Sequence, residues 1–162
     1  KFYASGQYVE TLEFINGNTI ELIPMGDDIV KACAVKMCYA ALTKGTMTLH
    51  ASVLTAAELL GVSRELQNEF KESQKFHWEA MCKRVSTLAC DASRWADEMD
   101  QISETFASIG LTKNLHKGAA DVFRSLNRSP LSKETRETYD KSRTMQQSIR
   151  IYAENVRKFA EK

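Results

Sequence analysis

Residues Asp27–Gly61 read DDIVKACAVKMCYAALTKGTMTLHASVLTAAELLG. No proline interrupts them, and Ala, Leu and Met, which lose little entropy on entering a helix, dominate. Asp27 and Asp28 stand at the start, where acidic side chains complement the helix dipole. Gly61 stands at the end, where a helix commonly turns off through a left-handed residue. As one helix the stretch spans roughly 50 Å at 1.5 Å per residue, which makes it the central post of the domain. Its first half, Ile29 to Leu42, is apolar almost all round, and such a helix is expected to be buried. Lys36 lies in the middle of that half, on one face with Ile29, Ala40, Thr43 and Met47. A lysine in that setting either snorkels to water or serves chemistry, because a desolvated ammonium has a lowered pKa that suits proton transfer near neutral pH.

Before the long segment, Phe2–Ala4 alternates like a short strand. Gln7–Phe14 reads as a short helix with Val9, Leu12 and Phe14 facing inward. Asn16-Gly17-Asn18 is a turn, and Thr19–Ile23 is a strand closed by Pro24 and Gly26. Two such strands make no stable sheet alone. They read as the tail of a larger α/β sheet. After Gly61 the pattern predicts helices over Ser63–Gln74, with Ser63 as N-cap, over Phe76–Ala89, over Ala92–Ile109, and from a Thr112 cap to Leu126. Gly110 ends the third of these. A turn at Asn127–Pro130 leads into a long polar helix, Ser132–Glu161, with Tyr139, Met145, Ile149, Tyr152, Val156 and Phe159 on its stripe. The fold class is mainly α: a helical bundle organised on one long helix behind a strand–helix–strand unit. The boundaries are 1–26 for the α/β unit and 27–162 for the all-helical domain.

The chain has 162 residues, enough for one domain with a core of its own. Its net charge of +1 gives no case for nucleic acid or membrane binding. From Thr112 onward there are 12 Lys+Arg against 6 Asp+Glu, and before it 10 against 15. The basic half is either a solvated helical surface or a rim that attracts an anionic ligand. Cys33, Cys38, Cys82 and Cys90 form no CxxC pair and have no zinc spacing, so no metal site is expected. In apolar helical context they read as small hydrophobes in a reduced, cytoplasmic setting. His50, His77 and His116 are far apart in sequence and make no ligand motif. No apolar run is long enough for a transmembrane helix, and no signal peptide is visible. The chain opens on Lys1, which reads as a processed, tagged or partial sequence.

KMCYAALTKG (Lys36–Gly45), followed by an Ala/Leu-rich helix ending at ELLGV (Glu58–Val62), resembles the interdomain helix of the β-hydroxyacid dehydrogenase superfamily. That superfamily includes 6-phosphogluconate dehydrogenase and 3-hydroxyisobutyrate dehydrogenase. RWADEMDQI (Arg94–Ile102), Gly110-Leu111 and GAADVFR (Gly118–Arg124) resemble later patches of a subgroup of NAD(P)-dependent oxidoreductases with a C-terminal domain of unknown specificity. The likeness runs over nearly the whole chain. It implies that residues 1–25 are the last strands of a Rossmann nucleotide-binding domain. It also implies that the helical remainder is a 6-phosphogluconate-dehydrogenase-like C-terminal domain that binds substrate and forms a homodimer.

In the superfamily a lysine in a pattern like GxGxxxKxxNN exchanges a proton with the substrate oxygen, and Lys36 occupies the matching position. The pattern is incomplete: no GxG precedes Lys36 closely, and Tyr39 and Ala40 stand in place of the asparagines. The resemblance implies substrate contacts for Tyr39, Thr43, Arg94 and Glu98, with a helix threonine bonding its own backbone and surface ion pairing as the plainer readings. Asp97-Glu98 stands where other members carry a Lys-Asp pair. Gly45 and Gly118 are read as permitting close helix packing, Trp78 and Trp95 as core, and His116 as a surface residue. NAD or NADP would serve the intact enzyme, yet no GxGxxG is present to bind it here. The implied function is the C-terminal domain of an NAD(P)-dependent oxidoreductase acting on a small hydroxy acid or related carbonyl compound. The alternative is a stand-alone helical interaction protein without catalysis.

Overall fold

A computed structural model of the chain describes residues 1–160. Their backbone divides into two compact units, Lys1–Ala41 and a second that begins at Leu42. The division falls inside the long helix.

In the first unit β1 (Phe2–Ala4) and β2 (Leu22–Pro24) pair in parallel, Phe2 with Leu22 and Ala4 with Pro24. A 3₁₀ helix, Val9–Ile15, connects them. The expected α-helical periodicity gives way there to a period of three. Val9, Leu12 and Ile15 therefore pack with Ala4 and Leu22, while Phe14, expected inside, is 82% exposed. Gly6 and Gly26 take positive φ, and the Gly6 N–H donates to the Gly26 carbonyl, which closes the connection after each strand. Ser5 Oγ accepts from the Ala32 N–H and donates to the Ile29 carbonyl, so a side chain at the end of β1 caps the long helix.

That helix, α1, runs Lys31–Leu60 and stops at Gly61, whose φ is +74°. Asp27 and Asp28 lie just outside it, and Asp28 accepts from the Val30 N–H. Burial of its first half, expected from composition, is not found. Cys33, Lys36, Cys38 and Tyr39 are exposed, and only Ala40 and Ala41 are buried there. An apolar helix surface marks a place that another surface can cover, and it does not by itself mark a core.

The second unit continues with α2 (Ser63–Ser73), α3 (Lys75–Arg84), α4 (Leu88–Ser108), α5 (Asn114–Asn127) and α6 (Met145–Ala160). Its core lies between α4 and α5. Leu88, Ala92, Trp95, Met99 and Ile102 recur at helical spacing on α4 and meet Ala119, Ala120, Phe123 and Leu126 of α5. Tyr152 and Ile149 of α6 are buried, and Tyr152 Oη donates to the Val85 carbonyl.

Several boundaries differ from expectation: β2 is Leu22–Pro24 and not Thr19–Ile23, and α5 begins at Asn114 behind Lys113 and not on a Thr112 cap. Ser63 is not a cap: it lies inside α2, and its hydroxyl donates to Glu58. The break between α3 and α4 is a 3₁₀ turn at Val85–Thr87, several residues early. The last helix is half the expected length. Residues 134–144 are irregular because short polar side chains satisfy the backbone locally. Thr135 and Asp140 bond neighbouring amides, and Thr144 and Gln147 exchange bonds as a capping box at the start of α6. Glu161, the expected helix end, lies outside the described residues.

Candidate functional site

Among the residues implied by sequence, Lys36 and Tyr39 belong to the first unit and both are exposed on α1. Lys36 therefore presents an ammonium open to small molecules and not one sealed in apolar surroundings. Thr43, half-buried, opens the second unit.

Arg94 and Glu98, one turn apart on α4, meet: Arg94 Nη1 donates to Glu98 Oε1 at 2.8 Å. They are part of a larger array. Lys44 of α1 donates to the other oxygen of Glu98. Arg94 also donates to Asp91 at 3.2 Å, and Arg136 Nε donates to Asp91 at 2.7 Å. The order Lys44, Glu98, Arg94, Asp91, Arg136 alternates in sign and carries one net positive charge. All three cations lie 5.9 Å from the centroid of the Trp95 ring, which is otherwise buried edge-on against Phe123. Burial pulls the Glu98 carboxyl up, but the Lys44 and Arg94 charges outweigh it and hold the group below the ordinary carboxylate value. Glu98 is thus an ionised acceptor and does not serve as a proton donor at neutral pH. Arg94 keeps its side chain 64% exposed, so its guanidinium remains open to an anionic group.

Lys44, Asp91 and Arg136 were not singled out by sequence. Lys44 adjoins Thr43 in the quoted KMCYAALTKG motif, which is the available signal. Arg136 falls in a stretch expected to be helical, where nothing would have aimed it at Asp91.

The histidines also differ from expectation. His50 and His77 are far apart in sequence but meet, with Nε2 and Nδ1 at 3.1 Å. Burial, and then the neighbouring His77 charge, lowers the His50 pKa below 6.5. His116 is not a surface residue. It is buried edge-on to Phe106, its Nδ1 has no partner, and burial lowers its pKa below 6.5. Three of the four cysteines, Cys33, Cys38 and Cys82, are exposed, and none is in a disulfide. A Cβ added to Gly45 or Gly118 meets nothing within 4 Å, so neither glycine serves close packing among the described residues.

A dinucleotide needs a glycine-rich turn between a strand and a helix. After β1 the chain offers only Ser5-Gly6-Gln7-Tyr8 ahead of a 3₁₀ helix. The described residues do not fit a pyrophosphate. They include no group of three or more His, Cys, Asp or Glu side chains arranged to hold a metal, and no helix long and apolar enough to cross a membrane.

Residues 57–126 match the model of a domain of unknown function, DUF1932. No curated protein matches the chain. A conserved hypothetical protein from Sinorhizobium meliloti 1021 shares the fold with a TM-score of 0.73 at 19% identity, over 94% of this chain and 51% of that one. Conserved protein MTH1747, of unknown function and described as structurally similar to 3-hydroxyacid dehydrogenases, gives 0.59 at 23% identity, over 76% and 49%. The chain spans about half the length of each of these structures. At such identities the likeness is one of fold. The family match covers residues 57–126, which include GAADVFR and not KMCYAALTKG, and the two structures show the fold: the chain shares their mainly helical architecture.

Proposed function

We propose that this chain is the substrate-side domain of a nicotinamide-dependent oxidoreductase acting on a small hydroxy acid or related carbonyl compound, and that it works as a homodimer through its helices. The observation that carries the reading is the exposed Lys36 on α1, at the position where the resembling superfamily keeps its proton-transfer lysine. Its Nζ would give a proton to the carbonyl oxygen in reduction and take the hydroxyl proton in oxidation. Arg94, held by Asp91 and Glu98, would bind the substrate carboxylate, with Tyr39 and Thr43 as further contacts. The redox group, NAD or NADP, would be held by residues outside this chain, because the described residues offer it no cradle.

The test is Lys36→Ala in the full-length protein, assayed with both nicotinamide cofactors against a panel of 3-hydroxy acids. The expected loss is about two decades or more in kcat. The thermal midpoint should not move, since an exposed side chain away from caps and core rarely changes stability. Activity retained in the variant would sink the role of Lys36, and a wild type inactive with both cofactors would leave the non-catalytic scaffold as the better reading.

A further inference from the structure

His50 and His77 stand 27 residues apart in sequence, one on α1 and one on α3, and both belong to the second unit. His50 falls on the buried face of α1 with Thr48 and Ala51, and is itself 5% exposed. Met81, one turn beyond His77, is the buried residue of α3, so this side of α3 faces the interior of the unit. Nε2 of His50 and Nδ1 of His77 meet at 3.1 Å, with the rings edge-on at 82°. Phe76 stands edge-on to His77, 5.6 Å between centroids. The inner imidazole is thus held by packing, while the outer one is exposed.

Two ring nitrogens at that separation have two uses. One is a single N–H···N bond between the rings. The other is joint ligation of one ion. Imidazole nitrogens bind zinc at about 2.0–2.1 Å, so two of them 3.1 Å apart subtend roughly 100° at the ion, between the tetragonal and the tetrahedral angle. The spacing already matches, and only the exposed His77 ring has to turn for both lone pairs to converge on one point at the solvent side. The hydrogen that one nitrogen carries in the bonded pair moves to the far nitrogen of the same ring. Both rings then ligate as neutral imidazoles and no proton is lost. Imidazole suits zinc and copper, and affinity along the first row peaks at Cu(II). Two protein ligands leave the other positions to water, which makes the ion exchangeable and the centre unlike a closed structural one. The buried histidine fixes the ion's place and the exposed one leaves it a path of entry.

We propose that His50 and His77 bind one divalent first-row metal ion, Zn(II) or Cu(II), between α1 and α3, and that the ion clips α3 to the long helix. The separation of 27 residues hides the pair from any spacing rule. The site goes beyond the proposed function and is independent of Lys36 and of the nicotinamide chemistry.

Calorimetric titration of the full-length protein, stripped with a chelator, with zinc chloride at about pH 7.5 tests it, because ordinary imidazoles are neutral there. The wild type should bind zinc with micromolar affinity. His77→Ala and His50→Gln should each weaken one zinc per chain by about 100-fold or more, since even the groups behind a ligand are worth 10–100-fold. His77 is exposed, so His77→Ala keeps the fold. Cys82→Ser, which removes an exposed thiol from α3, should leave the affinity unchanged. Zinc should raise the thermal midpoint of the wild type more than that of His77→Ala. With Cu(II), the electron paramagnetic resonance spectrum should show coupling to two nitrogens, lost in His77→Ala. Zinc binding unchanged in both histidine variants, binding lost in Cys82→Ser instead, or no uptake at millimolar zinc overturns the site and leaves the pair as a hydrogen bond alone. None of these results bears on Lys36→Ala.

Discussion

At the residue scale, Lys44, Arg94 and Arg136 converge on the Trp95 ring from three parts of the chain. Arg94 and Glu98 stand one turn apart on a helix whose period is plain, so their contact follows from spacing. Lys44 and Arg136 reach the same cluster from 50 and 42 residues away in sequence, and no local rule aims them there. The histidines show the same limit. His116 opens an amphipathic helix between two lysines and reads as polar surface, yet it is buried against Phe106. Its burial has a measurable consequence. His50 and His116 both have folded pKa values below 6.5, so below that pH the unfolded chain binds more protons than the folded one. The contribution of these two groups to stability is complete above pH 6.5 and is lost as the pH falls toward their folded pKa values. Urea midpoints measured across this window should therefore drop on acidification. His116→Gln should flatten part of that slope, and an unchanged slope would mean that His116 titrates normally. The carboxylates held low by cations, Glu98 and Glu134, add their own loss only below about pH 4.5, outside the histidine window.

At the element scale the periodic helices were readable and the irregular stretches were not. Trp95, Met99 and Ile102 recur every three or four residues and do form the buried face of α4. The apolar Ile29–Leu42 run was readable as helix, but composition cannot say whether an apolar helix meets its own core or another surface. The final helix was overextended because Tyr139 and Met145 sit near a helical stripe. The Thr135, Asp140 and Thr144 side chains nevertheless offer the backbone local partners that compete with a helix. Glycine positions give a further test. Gly118 lies inside α5 with open space where a Cβ would stand, and its φ is not positive. Gly118→Ala should then stabilise the protein by about 0.5–1 kcal/mol, by removing unfolded-state freedom without a clash. Equilibrium urea unfolding measures it. Destabilisation would show that another surface packs against that helix turn.

At the scale of the whole chain, the two units differ greatly in what holds them. The first has two three-residue strands and a core of Ala4, Val9 and Leu22 with Leu12 and Ile15 packed on it. A sheet of that size does not stand by itself in water. The second buries complete faces of α4 and α5 together with Tyr152 and Ile149 of α6. Cooperative opening should follow this difference, because regions with few buried contacts open below the global unfolding free energy. Native-state hydrogen exchange of the 162-residue chain by itself measures it amide by amide. The Phe2 and Met25 amides, bonded across the first unit at 2.8 Å, should be protected at least about 100-fold less than those of Met99 and Phe123, a gap of about 2.7 kcal/mol. Because the division falls between Ala41 and Leu42, α1 should itself split. Amides near Val35 should exchange with the weakly held unit and those near Leu54 with the strongly held one. Uniform protection along α1, with a single urea dependence, would show that the long helix joins both units into one cooperative body.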